Sequence, residues 1–369
     1  MKLQQSLWVH GFALVLASGL AWRTWTDEET SLTLTRDRVQ VWPANVEQLE
    51  SVRFESDKRT VEVLVHKDEH GRWYEVRVDR ELPGNAAHGH AHGAGGAAPQ
   101  APAPERKEQT FVSVTEAEKL AESLAPLLAL RAVGRVEGDR EKEFGFDEDV
   151  GTVVVRVAGK QHTLALGGLT PGGTDRYARV QETGEVFAVP GDLVRRFEQA
   201  ESRLFERQLQ NFGDQQPNRV RISYGERSRE LVAVEGKLGG WAAPDTPAEQ
   251  DETASNWMGK LGRLRVSSYL EEPKVVEGKS PVLTAEYFRD KELLGKVELF
   301  ENPAAENPAA RGSSAQGSSA QGPAEQPAAA SSSGSSQPKY VARSQHVRWP
   351  AEVGSGAAEV VQDLGSLFE

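Results

Sequence analysis

Three histidines alternate in His88-Gly-His90-Ala-His92. Neutral imidazoles on a pliable chain can ligate Zn²⁺, Ni²⁺ or Cu²⁺. No carboxylate stands at a fixed offset to complete a coordination set, and the surrounding Gly, Ala and Pro preorganise nothing. His88, His90 and His92 are therefore candidates for weak metal binding, in a composition that equally suits a solvated linker. Glu277-Gly278-Lys279-Ser280 ends as a phosphate-binding loop does, but Pro273 stands where the first glycine is required. Its backbone could not cradle phosphate, so nucleotide binding is not expected. Residues 167–173, GGLTPGG, lack Rossmann spacing and read as a tight turn in which Gly supplies the positive φ.

Signs of hydrolytic chemistry are equally sparse. No Gly-x-Ser-x-Gly elbow occurs. His162 alternates with Leu164 and Leu166 and reads as a sheet residue. Asp147, Glu148 and Asp149 form a solvated turn, with nothing to desolvate one of them for general acid–base work. No cysteine is present, which removes disulfides and thiolate chemistry. No residue type and spacing here points to a catalytic residue or a cofactor. Partner binding is left to two recurring pairs, Tyr177 with Arg179 and Tyr340 with Arg343. Arg195, Arg196 and Arg203 add a basic helix nearby. Trp73 and Trp241 also recur, and equivalent tryptophans in a duplicated plan point to core packing.

The elements that position these residues follow a repeat. Val52-Arg53-Phe54 and Trp73 return at the same separation as Val220-Arg221-Ile222 and Trp241. Alternating strands lie between, and an amphipathic helix follows each Trp. The first helix opens on Thr115-Glu-Ala-Glu118, which has the form of a capping box, and Leu120, Leu124, Leu127 and Leu128 make its apolar stripe. The second is expected from about Asp251 to Tyr269, with Trp257, Met258, Leu261 and Leu264 on one side. A second unit follows each copy. Strands 152–157 and 161–166 lead through Leu166-Gly167 to Tyr177 and Arg179, then a helix with Leu193, Phe197, Ala200 and Leu204. The order returns through Leu294-Gly295, Tyr340, Arg343 and a last helix carrying Ala357, Val361, Leu364 and Phe368. The expected fold is α+β: tandem duplicated strand-rich modules, each closed by an amphipathic helix, behind an N-terminal transmembrane helix. Residues 46–210 and 218–369 form the two α+β units. Residues 84–109 and 301–338 are low-complexity insertions expected to be disordered.

Charge and composition bound the partners. Forty-three Lys plus Arg against 55 Asp plus Glu give a net charge of −12, which argues against nucleic acid. Residues 1–26 read as a membrane anchor or a signal segment. The apolar run within residues 3–22, flanked by Trp8, Trp22 and Trp25, suits a single pass, while Gly19-Leu20-Ala21 suits cleavage. Both of these place residues 27–369 outside the cytoplasm, and a buried soluble helix is the third reading of the segment. The folding remainder suits about two domains at roughly 100–200 residues each.

The segment Leu166–Arg179 (LGGLTPGGTDRYAR), with Glu143-Phe-Gly-Phe146 before it and Val186-Phe-Ala-Val-Pro190 after it, resembles a bacterial family known as domain of unknown function 4340. The likeness covers most of residues 46–271. It implies one membrane helix followed by an extracytoplasmic α+β region, encoded beside gliding-motility-type ABC transporter components. By that resemblance the chain is a non-catalytic accessory or adaptor subunit of an ABC-type export or gliding-motility-like envelope machine, with transporter components as protein partners. The alternative is an extracytoplasmic hydrolase acting on polysaccharide or peptide.

Overall fold

The computed structural model describes residues 38–82, 105–138, 140–148, 150–270, 276–302 and 340–369. Strand β1 (Val39–Trp42) pairs with β6 (Leu127–Ala129) in a two-stranded sheet. The first large sheet holds β2 (Leu49–Ser56), β3 (Arg59–Asp68), β4 (Gly71–Glu81) and β5 (Arg106–Ser113). It continues with β7 (Arg131–Arg135), β8 (Thr152–Val157), β9 (Lys160–Leu169), β10 (Arg176–Val180) and β11 (Glu185–Val189). The second holds β12 (Arg219–Tyr224), β13 (Arg227–Ala233), β14 (Trp241–Ala242), β15 (Val266–Tyr269), β16 (Leu283–Arg289), β17 (Glu292–Glu301), β18 (Tyr340–Ser344) and β19 (Ala351–Val353). Their orders are β5-β4-β3-β2-β8-β9-β10-β11-β7 and β14-β13-β12-β16-β17-β18-β19-β15. Read from β4 and from β14, the two orders place corresponding strands side by side.

Each strand pair is antiparallel, and each sheet buries one face. Leu49, Val52 and Phe54 of β2, Val61 and Val63 of β3, and Tyr74, Val76 and Val78 of β4 point inward, while Arg53, Glu62 and Arg77 point out. That alternation is the pattern of a half-solvated antiparallel sheet. Short helices cover the apolar faces. Thr115–Leu124 buries Ala117, Leu120, Ala121 and Leu124, and Gly191–Glu198 buries Leu193, Val194 and Phe197. Phe197 stacks on Phe54 at 5.4 Å. On the second sheet, Glu252–Gly262 buries Trp257, Met258 and Leu261, and the Trp257 indole N–H donates to the Val360 carbonyl at 2.9 Å.

The α+β expectation is corrected. The described residues are 45% strand and 20% helix, in three antiparallel sheets. Segments expected as helix or linker are strand because a neighbouring edge is there to receive them. Val266–Tyr269 leaves the expected helix, which stops at Gly262, and pairs with β19. Arg106–Gln109, inside the span read as an insertion, pairs with Val78, Asp79, Arg80 and Glu81 of β4. Nor do the described residues contain a helix long and apolar enough to cross a membrane; the longest, Glu252–Gly262, has 11 residues. The segments 1–26 and 3–22 lie outside the described residues, as do most of the insertions at 84–109 and 301–338.

The capping box at Thr115 is also replaced. Val114 is the N-cap and makes no side-chain cap bond. Ser113 Oγ accepts the Ala117 N–H at 3.1 Å, and Glu118 turns away to Arg72 and to the Tyr74 hydroxyl, at 2.6 Å for the latter. Burial of Glu118 opposes its ionisation, but the hydrogen bonds from Arg72 and Tyr74 outweigh it and lower its pKa.

The glycines of Leu166-Gly167-Gly168 serve close approach. The Phe144 carbonyl accepts the Gly168 N–H at 2.8 Å, and a Cβ on Gly167 would stand 2.5 Å from that oxygen. Glu143–Phe146 is thereby docked on β9. Gly167→Ala should cost about 1–3 kcal/mol by forcing these backbones apart, read as a fall in urea midpoint. Gly365→Ala, which enters open space, should stay within about 0.5 kcal/mol.

Candidate functional site: a groove where the two sheets meet

The two large sheets are joined through residues 204–210. The Glu206 N–H donates to the Val112 carbonyl of β5 at 3.1 Å, and the Val266 N–H of β15 donates to the Arg207 carbonyl at 2.9 Å. This strap therefore bonds the edge of one sheet on one side and the edge of the other on the opposite side. Ser344 Oγ donates to the Leu209 carbonyl at 2.6 Å, and Gln210 Nε2 donates to the Lys296 carbonyl at 2.8 Å. Phe205 packs on Phe111 and on Tyr269, each at 5.2 Å.

Glu206 is the charged member of the strap and is 7% exposed. Its carboxylate accepts the N–H groups of Thr115 at 3.2 Å and Gln208 at 3.1 Å, and His346 Nε2 stands 3.4 Å away. It thus serves the start of the Thr115–Leu124 helix from outside the helix. Burial pushes its pKa up, but the His346 imidazole beside it and the two N–H groups outweigh this and hold it below the ordinary value. The Tyr269 hydroxyl donates to the Glu206 carbonyl at 3.1 Å, and burial raises that phenol well above its usual pKa.

Beside this join the turn between β3 and β4 reaches the outer face of the second sheet and encloses a groove of about 490 Å³. Trp73 stacks on His66 at 4.4 Å and meets Trp349 edge-on at 6.1 Å; Trp349 meets Tyr269 edge-on at 6.4 Å. A chain of ring contacts thus runs from His66 to Phe111 through both sheets, stacked or edge-to-face but for the tilted Phe205–Phe111 pair. Arg348 donates to both carboxylate oxygens of Asp68, at 2.7 and 3.1 Å, and locks the turn to the second sheet. It does so from a left-handed backbone, φ +58°, a conformation uncommon for a residue with a Cβ.

The opposite wall is layered by charge. Glu298, 9% exposed, lies beneath Lys296 and Arg343, which reach it at 2.8 and 2.7 Å and are themselves 35% and 41% exposed. Burial opposes ionisation of both Glu298 and Asp68, but in each case the basic partners outweigh it and lower the pKa. The groove therefore holds fixed carboxylates, two outward cations and two indoles.

The residues singled out from the sequence fall in different places. Tyr177 is buried with Val136 and Val186 and meets Phe144 edge-on at 4.7 Å. Arg179 lies over Phe146 at 4.8 Å and pairs with Glu141 at 2.8 Å. Both fasten the 140–146 segment. Tyr340 is buried at the start of β18. Of the four, Arg343 lines the groove. His88, His90 and His92 lie outside the described residues; among the described residues no cluster of three or more His, Asp or Glu could hold a metal. Trp241 is buried, whereas Trp73, also expected in the core, is half-buried in the groove wall.

Sequence reasoning missed Asp68, Lys296, Glu298, Arg348, Trp349 and the Glu206–His346 pair. One signal was available. The connection from β10 to β11 is a short QETG, whereas the one from β18 to β19 is QHVRWP and carries His346, Arg348 and Trp349. A departure between otherwise equivalent turns marks chemistry that the repeat itself does not require.

Glu206→Gln should cost about 1–3 kcal/mol at neutral pH, since charge-assisted bonds to buried donors are weakened. A depressed folded-state pKa gives stability that is present above the unfolded value and lost as pH falls through the folded one. The gap in melting temperature between wild type and Glu206→Gln should therefore be widest near neutrality and close as pH drops below about 4. A gap independent of pH would mean that the ionised form is not what holds the strap.

No curated protein and no solved structure matches the chain. The groove residues named above lie on either side of the stretch that a family model does match. Residues 102–281 match the family described as Domain of unknown function (DUF4340), which supports kinship with that family.

Proposed function

We propose that the chain is a non-catalytic accessory or adaptor subunit of an ABC-type export or gliding-motility-like machine, working on the periplasmic side of the bacterial envelope with the groove as its recognition surface. The observation that carries this reading is the state of the groove carboxylates. Asp68 and Glu298 are each clamped by arginine and held ionised. A hydrolase acting on polysaccharide or peptide would need a carboxyl kept protonated near neutral pH as its general acid, and these two are tuned in the other direction. Rigid donors and acceptors around aromatic rings suit recognition. The resemblance to envelope proteins encoded beside gliding-motility-type transporter components supports the choice of partner.

The test is purification of the tagged full-length chain in detergent from cross-linked cells. ABC permease and ATPase subunits should accompany it. Recovery of the chain without them would remove the adaptor reading. Release of reducing ends or free amines from envelope polymers by wild type, lost in Glu298→Gln, would establish the hydrolase instead.

A further inference from the structure

We infer that the groove binds a glycan whose repeating unit carries a carboxylate, such as a uronic acid polymer; this deepens the accessory-subunit reading and rests on it. Charge in the groove is layered. In a chain of net charge −12, the wall formed by β17 and β18 places its carboxylate, Glu298, underneath and its cations, Lys296 and Arg343, on top. What meets solvent there is the Lys296 and Arg343 pair over one shared carboxylate, while Glu286, across from Lys296 on β16, pairs with Arg221 at 3.7 Å. An Arg guanidinium with a Lys beside it is a donor set that suits a planar carboxylate.

The rest of the groove selects among anions. The Asp68 carboxylate is 33% exposed while its partner Arg348 is 9% exposed. Its arrangement is therefore the inverse of the Glu298 wall, and the outward group is an acceptor. An acidic peptide would meet repulsion there. A sugar would not, because its hydroxyls donate to Asp68 while its carboxylate accepts from Arg343 and Lys296. Trp73 and Trp349 supply half-buried indole surface in the same groove, and the C–H face of a pyranose is an apolar surface to set against it. Their contacts with His66 and Tyr269 hold the rings before any ligand arrives, which lowers the ordering cost of binding. At about 490 Å³ the groove is within the size range of sites that take small ligands.

The test uses the full-length chain and an oligomer of galacturonic acid, followed by calorimetry and by tryptophan fluorescence. Binding should be seen and should weaken as salt is added. Reducing the carboxyl groups of the oligomer to alcohols should weaken it roughly tenfold or more, the scale of a lost charge-assisted bond. Arg343→Gln and Lys296→Gln, at half-exposed positions, should each weaken it by roughly a similar factor; because each also removes one partner of the buried Glu298, binding is measured at a temperature where circular dichroism shows both variants folded. No binding of the oligomer, equal binding of the reduced oligomer, equal binding of oligoglutamate, or unchanged affinity in both variants would each overturn the inference. Transporter subunits recovered with a chain that binds no uronate would sink the glycan and leave the adaptor. Uronate binding without those subunits would do the reverse.

Discussion

Glu206 is a carboxylate removed from water at the seam between two sheets, and Thr115 from one side and His346 from the other meet at it. Taking such a charge out of solvent costs several kcal/mol unless its lone pairs are satisfied. Here the Thr115 and Gln208 N–H groups satisfy them, and the His346 imidazole stands beside them at 3.4 Å. Because no one of these groups is near all the others in sequence, the carboxylate is stable only when both sheets are in place. The backbone on either side repeats the same logic, with one hydrogen bond to the edge of the first sheet and one to the edge of the second. An edge strand left open is a liability in any sheet protein. The strap turns two such edges inward against each other.

The groove is a consequence of that seam. Once the strap sets the two sheets together, the β3–β4 turn lies against the outer face of β17 and β18, and the residues there must settle their charges. Arg348 does so with Asp68 and takes a left-handed backbone to reach it. Trp349 follows it into contact with both Trp73 and Tyr269. The ring contacts and the ion pair stiffen the same few ångströms, so the recognition surface is carried on rigid elements and not on loose loops.

Much of the local structure was legible in the sequence because it depends on local periodicity. The inward alternation of Val52, Phe54, Val61 and Val63, and the buried side formed by Trp257, Met258, Leu261 and Leu264, are both readable from spacing. The proportions of the fold were not. Arg106–Gln109 and Val266–Tyr269 have no strong strand signal of their own; they become strand because an edge with free N–H and C=O groups lies beside them, and paired backbone is far cheaper than buried unpaired backbone. The capping box failed for the same reason. Thr115 and Glu118 could have satisfied each other, but Arg72, Tyr74 and Glu206 offered stronger, charge-assisted partners from elsewhere.

The sequence by itself determined the absence of thiol chemistry, the acidic balance, the doubled order of strand patterns and the glycine signature at Gly167-Gly168. These are properties of residue type and spacing, and no folding is needed to read them. Tertiary structure alone decided which charges would matter. Asp68 and Arg348 stand 280 positions apart, and nothing local distinguishes either from the many other charged residues of the surface. Their meaning comes from burial and distance: a guanidinium withdrawn from water must find a carboxylate, and the one it finds depends on where the seam places it.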